Sequence, residues 1–147
     1  MSNDVIAAWD RIESRMRLHP PAYPVPPGAS DELIAEVEAE FGFLLPADLR
    51  TLWRRCGGPV GPLTPEGEVL LGVRQTLDTY HLLKHPGAWE TKWIPFTADE
   101  PDDPFSGTFI DAVTGLIGSW NRQDFSQLYD VDSTLTGYLT EVADELR

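Results

Sequence analysis

Residues 41–59 read FGFLLPADLRTLWRRCGGP, and the reading of this stretch decides both the fold and where function is sought. Gly42 stands where an arriving helix needs a left-handed residue to stop. Pro46 suits a first helical position, because the N–H it lacks would be unpaired there. Leu49, Leu52, Trp53 and Cys56 then follow at i, i+3, i+4 and i+7, one buried stripe of a helix that Gly57-Gly58-Pro59 ends. The stretch is a compact turn from one helix into the next. Cys56 lies on its apolar stripe near a helix C-terminus, a position that raises a thiol's pKa. His19, His81 and His85 are all distant in sequence, so Cys56 reads as a buried structural thiol and not as half of a nucleophile pair.

Upstream, Ser30 is placed to cap the helix that Gly42 stops, with Asp31 and Glu32 in its first turn and Leu33, Ile34, Val37 and Phe41 as its buried stripe. Before it, Val5, Ile6, Trp9, Ile12 and Met16 recur at helical spacing over residues 3–18, with Asn3 or Asp4 as the cap. His19-Pro20-Pro21 ends that helix, and PPAYPVPPGAS continues as a stiff extended arm laid across the domain. The division expected is an N-terminal helix and proline-rich arm over residues 1–29 and a domain over 30–147.

Downstream the signals shorten. Glu68–Val73 reads as a strand and Gln75–Lys84 as a short helix. Trp93-Ile94-Pro95-Phe96 reads as an edge strand, because proline cannot donate to a central ladder. Gly107–Asp111 and Gly115–Trp120, joined by Ala-Val-Thr, are consistent with a hairpin, and Phe125–Tyr129 with a last strand or bridge. Ser133 is placed to cap a final helix with Leu135, Tyr138, Leu139, Val142 and Leu146 inward. The fold class is α+β: one domain, N-terminal helices, a mainly antiparallel sheet of short strands, and a C-terminal helix.

With 147 residues, 41% of them hydrophobic, the chain is long enough for one substantial core. Its 24 acidic and 11 basic residues give a formal charge of −13. Residues 1–98 carry 13 acidic and 9 basic side chains, and residues 99–147 carry 11 and 2. Such a field repels nucleic acid and anionic lipid and attracts a basic partner protein. One cysteine forms no internal disulfide, and no run of some 18 apolar residues occurs, so a reducing, cytoplasmic setting is the expectation.

Tests for chemistry return little. The acidic stretch TADEPDDPFSG, residues 97–107, lacks the alternation and closing glutamate of a calcium loop, and the histidines lack zinc-ligand spacing. Neither a phosphate-cradling glycine loop leading into Gly-Lys-Ser/Thr nor a G-x-S-x-G turn is present. Trp89 and Trp93 are four apart beside Lys92, but so few cations follow that base stacking has little support. No catalytic residue, cofactor or metal is expected. The candidate partner contacts are Asp99, Glu100, Asp102 and Asp103, with Phe105 as an anchor; Trp120 is read either as a further contact or as core.

The order Leu33, Val37-Glu38, Phe41-Gly42, then Leu45-Pro46-Ala47-Asp48-Leu49, Leu52-Trp53 and Cys56-Gly57-Gly58, resembles the N-terminal signature of the SUKH superfamily, the Smi/Knr-type domain named for the yeast cell-wall-assembly regulator. Trp93-Ile94-Pro95-Phe96, the strand pair around Phe109-Ile110-Asp111 and Gly115, and the last helix look like the rest of that domain, so the likeness runs from Ser30 to Leu146. The resemblance implies a non-enzymatic protein that binds and neutralises a cognate toxin domain, many such toxins being nucleases. The alternative it implies is a regulatory or scaffolding interaction module for an endogenous protein.

Overall fold

The computed structural model describes residues 2–18, 26–64, 67–83, 91–100, 102–122 and 128–145. Three helices lead: α1 (Ser2–Leu18), α2 (Asp31–Phe41) and α3 (Ala47–Arg55). Then come β1 (Val69–Leu70), α4 (Val73–Leu83), β2 (Trp93–Pro95), β3 (Thr97–Ala98), β4 (Ser106–Asp111), β5 (Leu116–Asn121), β6 (Leu128–Thr134) and α5 (Leu135–Glu145). The fold is α+β as expected from the sequence.

Local chemistry accounts for the helix ends. Ser30 Oγ accepts the Leu33 N–H at 3.1 Å, and Gly42, at φ 85°, ends α2 by donating its N–H to the Glu38 carbonyl at 2.9 Å. Glu38 also accepts the Leu45 N–H on its carboxylate at 2.8 Å, which fixes the turn between α2 and α3. Pro46 is the N-cap, one residue before the first helical position, with its carbonyl receiving the Arg50 N–H. The glycine pair closing α3 is held between two passing chains: Gly57 N–H donates to the Pro27 carbonyl, and the Val73 N–H donates to the Gly57 carbonyl. At Gly58, φ is +60° and a Cβ would lie 2.7 Å from the Leu71 carbonyl oxygen, so both conformation and space require glycine there.

The main sheet has the order β2-β4-β5-β6, antiparallel throughout, with Ile94 opposite Ile110 and Phe109 opposite Gly118. Pro95 lies on the edge strand β2, where its missing N–H breaks no ladder. β1 and β3 form a separate antiparallel pair, and β3 also leans on β4 through Asp99 N–H to the Ser106 carbonyl at 2.9 Å. Helix α5 packs on β5, β6, α3 and α1; α4 packs on α2 and β2. One apolar cluster joins all of this, and it includes Val5, Trp9, Ile12 and Met16 of α1. The N-terminal helix is thus part of the core, laid across α3 and α5.

Three boundaries differ from the sequence reading. The strand expected over residues 68–73 is only Val69–Leu70; Leu71 makes one further bond, its N–H to the Phe96 carbonyl at 2.9 Å, and α4 begins at Val73. Gln75 Oε1 accepts the Gly72 N–H at 2.9 Å, a reach-back from the first turn that starts the helix there. Ser133 does not cap α5, because β6 runs on through Thr134, whose hydroxyl accepts the Gly137 N–H at 3.1 Å. A β-branched residue with a capping hydroxyl serves both the strand end and the helix start. The last strand spans Leu128–Thr134, later than the expected 125–129, of which residues 125–127 lie outside the described residues. Most of the proline arm, His19, His85, Trp89 and Leu146 also lie outside them.

Candidate interaction surface

The acidic loop between β3 and β4 is a constructed turn. Asp99 Oδ1 accepts two backbone N–H groups, Phe105 at 2.9 Å and Ser106 at 3.2 Å, so this carboxylate closes the loop from within. From the far side, Arg122 donates its N–H to the Phe105 carbonyl at 2.8 Å, and its guanidinium reaches the Pro104 carbonyl at 3.3 Å and Asp103 Oδ1 at 3.4 Å. Glu100 Oε1 receives the Asp102 N–H at 3.3 Å.

The six residues read as contacts therefore separate. Glu100, Asp102, Asp103 and Phe105 are exposed, Phe105 by 48%. Asp99 is exposed as a residue but spends its carboxylate on the backbone. Trp120 is 2% exposed, sits opposite Gly107, and donates its indole N–H to the Thr108 carbonyl at 3.2 Å; it is core, the second of the two roles read from the sequence.

Asp102 and Pro104 form one wall of an open cleft of about 310 Å³, and the other wall is α4, through Gln75, Asp78, Thr79 and Leu82. Leu82 is 39% exposed. Asp78 and Asp102 have no ion-pair partner among the described residues. Asp78 was missed by the sequence reading: it lies on a helix far from the acidic stretch, and one carboxylate on an amphipathic helix carries no signal of its own.

A second polar cluster lies inside the fold. Glu68, just before β1, accepts the Tyr138 hydroxyl at 2.9 Å and the Thr97 hydroxyl at 3.0 Å, and Thr97 and Thr108 share a hydroxyl hydrogen bond at 2.5 Å. Burial, then the charge and hydrogen bond of Glu68, push the Tyr138 phenol well above its ordinary pKa. The phenol is held as a neutral donor, and the cluster ties the β1 approach, β3, β4 and α5 together. Cys56 is fully buried, and burial pushes its thiol up to about 11, unsuited to nucleophilic work near neutrality. Among the described residues, no group of three or more His, Cys, Asp or Glu is placed to hold a metal ion, and no helix is long and apolar enough to cross a membrane.

These features define a small α+β domain with a carboxylate-lined cleft on its surface. The chain matches the SMI1 / KNR4 family (SUKH-1) over residues 28–141 and belongs to that family. The match supports a protein-interaction domain in general and reaches no particular partner. Comparison with curated proteins gives no significant match. Helix α1 lies outside the matched range, yet contributes to the same core.

Proposed function

We propose that the protein is a non-enzymatic, cytoplasmic interaction module that binds a partner protein stoichiometrically, using the exposed part of the acidic loop: Glu100, Asp102, Asp103 and Phe105. The family match over residues 28–141 carries this reading. It favours the broader role, a regulatory or scaffolding module for an endogenous protein. The narrower role, neutralising a cognate toxin such as a nuclease, is favoured by one specific observation: residues 99–147 hold 11 acidic and 2 basic side chains, a charge balance suited to attracting a basic enzyme.

The experiment is recovery of the tagged full chain with its partner from native cells, followed by reconstitution of the pair from purified proteins. A one-to-one complex that silences a toxin assigns the narrower role, and one with a housekeeping protein assigns the broader. Turnover of a substrate by the chain alone, lost on substituting a polar cluster without loss of fold, would refute both. Reversing Glu100, Asp102 and Asp103 to lysine is expected to slow association and flatten its salt dependence. Asp99 is left out of this set because its reversal would also open the loop.

A further inference from the structure

We propose that the cleft between α4 and the 99–105 loop receives a lysine or arginine side chain presented by the partner protein. The inference rests on the reading above and gives it an address. Each part of the cleft matches a part of such a side chain. Leu82 offers exposed apolar surface for the aliphatic stem, since long cationic side chains lay their methylenes on apolar groups and keep the charged head in contact with polar ones. Asp78 from one wall and Asp102 from the other supply negative charge for the head, and among the described residues no cation lines the cleft.

The carboxylates around it are not equivalent. Asp99 is turned to backbone N–H groups and Asp103 is paired with Arg122, whereas Asp78 and Asp102 have no ion-pair partner among the described residues. Size points the same way. A cleft of about 310 Å³ is at the lower end of small-molecule sites, and this one is open to solvent, so it suits one inserted side chain better than an enclosed cofactor. Among the described residues no third ligand from His, Cys, Asp or Glu is gathered there, so a divalent cation is the poorer match.

The test uses the intact protein, isotope-labelled for NMR, and the pentapeptide acetyl-Ala-Ala-Arg-Ala-Ala-amide as probe, with its citrulline analogue as the neutral control, at 150 mM salt. The expected result is saturable movement of the amides at residues 75–82 and 102–104 with the arginine peptide and none with citrulline. Asp78→Asn and Asp102→Asn should each weaken the apparent affinity about two- to fivefold, the range of an exposed ion pair, while the rest of the spectrum is unchanged. Shifts spread evenly over all exposed carboxylates, or no shift at the cleft, would overturn the proposal. So would sedimentation showing a self-associated species lost in the double variant, which would give the cleft to a second copy of this chain. Should a recovered partner bind the double variant as tightly as the parent, the cleft is refuted and the interaction-module reading stands. Should no partner exist, that reading fails, and the peptide titration still decides what the cleft accepts.

Discussion

Tyr138→Phe removes one oxygen from the internal polar cluster, and the structure sets the size and pH dependence of the loss. The phenol donates to Glu68 Oε2 at 2.9 Å in a part-buried setting. A hydrogen bond to a charged group contributes about 1.5–3 kcal/mol net, and the partial access of Glu68 to water places this one near the lower end. We expect a loss of about 1–2 kcal/mol at pH 7, a fall in the urea midpoint of about 0.5–1 M for a slope near 2 kcal/mol per M. The five tryptophans supply the fluorescence readout. The pH dependence has a definite sign. Because the folded-state pKa of Tyr138 is raised, the folded protein keeps this proton after the unfolded chain has begun to lose it near pH 10. The advantage of tyrosine is present in full below that value and shrinks above it, by up to about 1.4 kcal/mol per pH unit. The gap between parent and Y138F should therefore be constant from pH 7 to 9 and narrow by pH 11. A gap below about 0.3 kcal/mol at pH 7, or one equal at pH 9 and 11, would refute the reasoning.

The other stability and reactivity predictions follow from burial and close approach. With its thiol raised to about 11, Cys56 should be about one part in a thousand thiolate at pH 8 even before access is considered, so labelling by a disulfide reagent should wait on unfolding; rapid labelling of the folded protein would contradict the burial. At Gly107 a Cβ would stand 2.0 Å from the backbone oxygen of Thr97, and Gly107→Ala should cost about 3 kcal/mol, seen as a lowered melting temperature, because β3 cannot move without leaving β4. Trp9 is fully buried, and Trp9→Ala should cost about 3–5 kcal/mol by urea titration. Trp9→Phe should cost much less, since the indole N–H has no hydrogen-bond partner among the described residues. An alanine variant of unchanged stability would mean that α1 is dispensable.

What was legible in the sequence was what neighbours in sequence decide. Ser30, Gly42 and the stripe through Leu49, Leu52 and Trp53 act within a turn or two of their own positions, and the structure places them as read. The strand expected over 68–73 failed for the opposite reason. Its apolar run is continuous in composition, but the pairing ends after the Leu71 N–H bond to the Phe96 carbonyl, where Gln75 turns back to Gly72 and starts α4, contacts that periodicity does not contain. The cap read at Ser133 moved one residue on because β6, paired with β5 as far as Thr134, runs through Ser133. The acidic loop was found by composition, but composition did not assign Asp99 to its interior or bring Asp78 to its edge. Both facts depend on tertiary placement.

That placement also pairs much of the positive charge. Six of the eleven cations lie on α1 and α3, and five of them face a carboxylate: Arg11 with Asp144, Arg17 with Glu13, Arg50 with Glu38, Arg54 with Asp31 and Arg55 with Asp10. Beside the cleft, Arg122 is engaged in holding the loop, and Asp78, Glu100 and Asp102 are left without ion-pair partners among the described residues. Charges of opposite sign held within a few ångströms nearly cancel at the distance of an approaching protein, whereas uncompensated carboxylates do not. For a partner that docks at the cleft, Asp78 and Asp102 lie nearest the incoming surface and should contribute more to steering than charges on distant faces. Asp31→Asn and Asp102→Asn change the net charge equally, which separates the two explanations. With the partner in hand, stopped-flow association at low salt should be slowed by Asp102→Asn and left unchanged or slightly slowed by Asp31→Asn. Equal slowing by both would mean that total charge governs encounter and that the cleft has no privileged field.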